Sequence, residues 1–500
     1  GVGVETRVTD VAFSDDGKTV YTTTKEQTIK AWDLKSNKLY GTLYVFKGCD
    51  DYVFIAPTGH FDGNEGGIKR LYYLKDRNII PLDKIYEKAY TPNLYERSVA
   101  GELFSKLDIQ LKAIPVAKIT YAAIQRNLDV TDDIAIYQNT SGQAEITVNA
   151  SSVDDSIDEI RLFHNGKIVN LATRGLFVTD DSKQSTSAKK YTVNLLPGKN
   201  SFRAIALNSQ RTESQPDEII VSYQNGNPPD PSRPVIAGNV PVDLIDKNAT
   251  LHLVVVGINK YRNEKMSLNY ALADATSFKD EVEKSAKTML TNIKTYFVTD
   301  TTADKNGITD AFAEVQKNAK PRDVFVFYYA GHGVISEKNK EFYLVPTDVT
   351  DLKNVDEALA EKGIASKLLQ GYAIDIQAQK QLFILDACQS AGAFESLLQN
   401  DGKQQKSIAM LARSTGTHWM AASGAQQFAN EFAQLGHGAF TYVLLQALKG
   451  EAASNKMITV NGLKNFMQVQ VPVLMKKYNG TAQYPASYGI GNDFPVEILK

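Results

Sequence analysis

Cysteine is nearly absent from this chain of 500 residues: Cys49 and Cys388 are the only two. They fall in segments of different character. A structural disulfide framework is therefore excluded, and a reducing, cytoplasmic setting is expected. A dominant charge is lacking too. The 55 basic and 57 acidic side chains leave a net charge of −2, which gives neither nucleic acid nor an anionic membrane a reason to bind. No apolar run approaches the ~18 residues that a membrane-spanning helix needs. No secretory signal is evident, although the chain opens on Gly1 rather than Met, which leaves that absence little weight. There is no Walker-type phosphate loop and no zinc-ligand spacing. No cofactor is expected. Calcium is left open only at the acidic run Asp348 to Glu357, whose ligands do not follow EF-hand spacing.

What is present reads as several domains. Apolar residues at 43% and charged residues at 22% are ordinary for globular protein, and the length suggests about three domains. Residues 1–115 begin with short β-rich runs, an Asp16-Gly17 turn and Trp32-Asp33. This looks like one WD40 repeat, with a partial echo 42 residues on at Phe54 to Gly63. One repeat and an echo cannot close a propeller. Residues 116–224 alternate in short strands around an Asn165-Gly166 hairpin signal. That rhythm suggests an Ig-like β-sandwich, without the Cys…Trp…Cys spacing of antibody domains. These two units either space the chain or bind a regulatory protein partner; the sequence does not choose. The linker, 225–248, opens with four prolines in Asn225 to Val235. From 249 to 500 strands and helices alternate, which predicts an α/β domain with a mostly parallel sheet flanked by helices.

Two motifs in that last segment carry chemistry. YAGHG (Tyr329 to Gly333) follows the apolar run Val324 to Ala330, and LDACQSAG (Leu385 to Gly392) follows Gln381 to Ala387. Such runs read as buried parallel strands, whose carboxyl ends form the ligand-binding rim. His332 and Cys388 are thus expected at one rim of one sheet. An imidazole beside a thiol there suits a cysteine nucleophile with a histidine base. The helix expected after Cys388 would add its dipole to lower the thiol pKa. Gly331 and Gly333 are expected to supply backbone shapes barred to other residues.

His332 lies 56 residues before Cys388, close to the spacing of roughly 50 between the two catalytic residues of caspases. With both motifs in order, the segment from Thr250 resembles the caspase-like superfamily, nearest to bacterial caspase-family proteins and metacaspases. The resemblance implies a cysteine peptidase of the caspase-like fold. It implies an oxyanion hole from the Gly333 and Cys388 N–H groups, and an S1 pocket lined by Asp386, with Asp274 as a second acidic candidate and Ser423 at the cleft border. Cleavage of protein substrates after Arg or Lys follows. Gln389 and Ala391 depart from the metacaspase pattern, which commonly has His and Gly there. His437, in a second Gly-His-Gly string, reads as a decoy. The stretch Gln399 to Gly416 reads as an exposed polar loop, with Lys403, Lys406 and Arg413 as self-cleavage sites. The alternatives are a catalytically inactive caspase-like scaffold and a cysteine hydrolase of small amides.

Overall fold

The structure is a computed structural model that describes residues 7–25, 28–75, 78–108, 112–121, 129–131, 134–170, 185–224, 244–387, 401–422, 436–479 and 484–499. Six strands from Val8–Phe13 to Phe61–Gly63 form one antiparallel sheet in chain order. Gly17 takes φ 66° in the first turn, as an Asp-Gly hairpin requires. The expected repeat and its echo are joined, because Val45 pairs with Tyr52 and carries the ladder through both. A hairpin (Tyr72–Lys75 with Asn78–Pro81) and short helices at Tyr86–Ala89 and Leu94–Val99 follow.

Between Val116 and Tyr223 a six-stranded and a three-stranded sheet pack face to face around Ile146, Val148, Leu162, Phe202 and Val221. In the strand Gln143–Ser151 every second side chain is buried, the two-residue period of a sheet with one solvent face. Asn165 and Gly166 both adopt left-handed φ, 50° and 86°, and pair Phe163 with Ile168. Most of the proline-rich linker lies outside the described residues.

The last segment alternates β1 (Thr250–Gly257), α1 (Ala271–Ala286), β2 (Asn292–Thr299), α2 (Lys305–Asn318), β3 (Val324–Ala330), α3 (Ser366–Asp375), β4 (Lys380–Asp386), α4 (Asp401–Thr415), β5 (His418–Ala421), α5 (Ala439–Gln446), α6 (Val460–Asn479) and β6 (Ala486–Tyr488). The sheet order is β2-β1-β3-β4-β5-β6; the first five run parallel and β6 closes the edge antiparallel. All seven residues of β3 are buried. Its Phe325, Phe327 and Tyr329 face α2, α3 and α4, while Val324, Val326 and Tyr328 face α1, α5 and α6. A sheet covered on both faces needs no polar alternation, which is why these strands read as continuous apolar runs. Among the described residues no helix is long and apolar enough to cross a membrane.

One expectation is overturned. The stretch read as an exposed polar loop contains α4. Ile408, Leu411, Ala412 and Thr415 recur at helical spacing and are buried. Burial of that stripe outweighs a composition that looks like a loop. Gly416, at φ 69°, ends the helix.

The three units are knitted together. Arg413 of α4 bonds Glu213 Oε2 at 2.8 Å and the Asp83 carbonyl at 3.0 Å, and lies 4.8 Å from the centre of the Tyr86 ring. Gln379 bridges the Asn165 amide and the His164 imidazole, each at 2.9 Å. Lys167 reaches the carbonyls of Ile374 and Ile376 at 3.1 and 2.5 Å.

Candidate active site

The rim is levelled by the strand register. Ala330 of β3 stands opposite Asp386 of β4, and the Gly331 N–H continues the ladder to the Asp386 carbonyl at 3.3 Å. His332 therefore emerges at the carboxyl rim, beside the strand end that leads through Ala387 to Cys388. Cys388 and the helix expected after it lie outside the described residues, as does Ser423. The glycines flanking His332 serve a purpose other than the one expected, since neither is among the positive-φ residues. They permit close approach. A Cβ on Gly331 would come within 2.7 Å of the Tyr329 hydroxyl, and one on Gly333 within 2.9 Å of the Ala387 Cβ and the Phe342 ring.

His332 is held from several sides and only 2% exposed. Its backbone N–H donates to the Tyr261 hydroxyl at 2.9 Å, and its carbonyl accepts from Tyr329 Oη at 2.8 Å and from the Val345 N–H at 3.0 Å. Nε2 lies 2.7 Å from the Met266 carbonyl. A carbonyl can only accept, so Nε2 carries the proton and Nδ1 is the basic nitrogen. Burial pushes the imidazole pKa down to about 4, against the opposing pull of the Met266 carbonyl. Burial thus favours the neutral ring over the imidazolium.

The two acidic candidates come together. Asp386, at the end of β4, is 6% exposed and accepts from Thr441 Oγ1 at 2.6 Å; that hydroxyl also meets Tyr328 Oη at 2.6 Å. Asp274, in the first turn of α1, is 3% exposed. It lies 2.7 Å from His437 Nδ1 and accepts weakly from the Gly438 N–H at 3.2 Å. Burial raises the Asp274 pKa, and the nearby charge of Asp386 raises it further, against the hydrogen bonds from His437 and Gly438. His437, read as a decoy, is thus a partner of the acidic pair. Thr441 was missed as well. The signal available for it was a hydroxyl in the otherwise apolar helix run from Ala439.

The other candidates fall elsewhere. Arg413 is engaged with Glu213, while Lys403 and Lys406 line a cavity on the far side of α4. In the acidic run, Asp351 caps its own turn through Lys353 N–H and Asn354 N–H, and Asp348 accepts from Lys305 N–H. Among the described residues no group of three or more His, Cys, Asp or Glu side chains is placed to hold a metal ion.

Residues 251–489 match the family model of the caspase domain (Peptidase C14). No curated protein matches the chain. Among solved structures, a Geobacter sulfurreducens protein is 15% identical, covers 49% of this chain and 94% of its own, and has a TM-score of 0.33. Fibronectin(III)-like modules of Clostridium thermocellum CbhA are 13% identical, cover 22% of this chain and 100% of their own, and have a TM-score of 0.15. At these scores neither likeness carries an argument here.

Proposed function

With residues 251–489 forming a caspase domain, we propose that the chain is a cysteine endopeptidase that uses Cys388 and His332 and cleaves proteins after Arg or Lys. The level register of β3 and β4 carries this reading: His332 lies two residues beyond Ala330, and Cys388 two beyond its partner Asp386. His332 Nδ1 takes the thiol proton as sulfur attacks the scissile carbonyl. The Gly333 and Cys388 N–H groups hold the resulting oxyanion. His332 then returns the proton to the leaving amine, and water, activated by the same imidazole, releases the acyl group. An imidazole held neutral by burial favours this general-base route over a standing thiolate–imidazolium pair, so basal thiol reactivity is low.

Asp386 and Asp274 supply the P1 preference. A buried acid at the rim would pair with a guanidinium or ammonium. Ser423 stays in the proposal as the cleft border. No cofactor is invoked, and calcium has no assigned ligands. The WD40-like and Ig-like units are proposed to space the chain or to receive a regulatory protein, within the cytoplasm. Self-cleavage at Lys403, Lys406 or Arg413 would require α4 to unwind. An arginyl chloromethylketone tests the whole reading. It should alkylate the wild-type chain at Cys388 and leave Cys388→Ala unlabelled; an unlabelled wild type would favour the inactive scaffold.

A further inference from the structure

A cavity of about 520 Å³ opens where the three units meet, between α3, α4 and the strand bearing Arg161. Its volume suits a small molecule rather than a folded partner. Its charge is one-sided. Glu87 is the lone carboxylate among its lining residues, and Arg161 and Arg211 already bond it at 2.7 and 2.6 Å. Glu341, beside the cavity, caps α3 through the Lys367 N–H at 2.9 Å. Lys340, Lys367, Lys403 and Lys406 also line the space, and among the described residues none of their ammonium groups has a carboxylate within ion-pair distance.

Four like charges converging on one concavity repel one another, and that repulsion is relieved when an anion enters. Lys406 carries a cost of its own: burial, with Arg97 adding to it, holds its ammonium below the usual lysine range, and a bound anion would favour its charged form. Lysines act as compact point charges toward phosphate, and the Ser407 hydroxyl and Gln370 amide sit among them. No aromatic ring lines the space to stack a nucleobase. We propose that this junction cavity binds a compact, multiply charged phosphate anion. The ligand would bridge α3 and α4 to the N-terminal units through the lysines and the Glu87 cluster. This site is independent of the proposed peptidase chemistry.

Inorganic tripolyphosphate is the probe, titrated calorimetrically into the full chain at low salt. Saturable binding is expected, with a rise in Tm by mass action. Lys403→Gln/Lys406→Gln should weaken binding at least about tenfold. So should Lys340→Gln/Lys367→Gln, which changes only exposed side chains and leaves the fold intact. No binding by the wild type, equal binding by all three chains, or uptake of poly-glutamate in place of tripolyphosphate would each overturn the proposal.

Discussion

Two histidine–aspartate pairs sit at opposite ends of one parallel sheet. At the amino end, His252 and Asp323 meet at 3.2 Å, with side chains 1% and 3% exposed. Burial alone would raise the Asp323 pKa, but His252 and the N–H groups of Thr250 and Lys320, both at 2.9 Å, outweigh it and hold the carboxylate below its usual range. At the carboxyl rim, His437 and Asp274 meet at the shorter distance of 2.7 Å, yet burial and the charge of Asp386 win and the acid is pushed up. The same two residue types keep the acid charged at one end and push it toward its neutral form at the other. What separates the two pairs is the count of donors set against burial and like charge.

The largest expected effect lies at the rim. Cys388→Ala and His332→Ala should each lower kcat/KM at least about 10³-fold, whereas Asp323→Asn leaves it unchanged. Near-wild-type cleavage by Cys388→Ala would end the peptidase assignment. Next come the acids. Asp386→Asn and Asp274→Asn should cost roughly 3–5 kcal/mol toward Arg and Lys peptides, while alkylation of Cys388 by iodoacetamide changes little. An unaltered P1 preference in both variants would remove them from S1. His437→Gln should give a smaller loss, about tenfold in kcat/KM, because it disturbs Asp274 without removing it.

At the amino end the effect should appear in stability instead. Asp323→Asn leaves His252 and two amides poorly matched, at about 1–3 kcal/mol, read as a lower Tm at full specific activity. Loss of activity with unchanged Tm would erase the distinction between the two pairs. The smallest effect concerns pH. Burial holds His332 at about 4, below an unfolded value of about 6.5. Between those values the unfolded chain binds the extra proton, so this group's contribution to stability falls on acidification. His332→Gln should flatten the decline of Tm from pH 6.5 to 4 by an amount on the order of 2–3 kcal/mol in unfolding free energy. An identical profile in both chains would mean that the imidazole is hydrated.

The sheet was legible because its signals are local: Val324 to Ala330 and Gln381 to Asp386 are apolar runs that end on motifs, and parallel pairing levels those ends. The α4 helix was not, because its buried stripe is sparse and its polar side chains meet partners in other units, such as Glu213. His437 escaped for a related reason. Its partner is 163 residues away, and no spacing encodes such a meeting. The glycines beside His332 were found for the wrong reason, since sequence cannot tell close approach from a left-handed turn.

The knitting of Arg413, Gln379 and Lys167 also has a bearing on inheritance. Recombination that exchanged the front of this chain for another would leave the Arg413 guanidinium without Glu213 and the Asp83 carbonyl, and Gln379 without Asn165 and His164. Descendants with a different front end must therefore carry matching changes at Arg413 and Gln379. A lineage that shuffles these units freely would have lost both residues first.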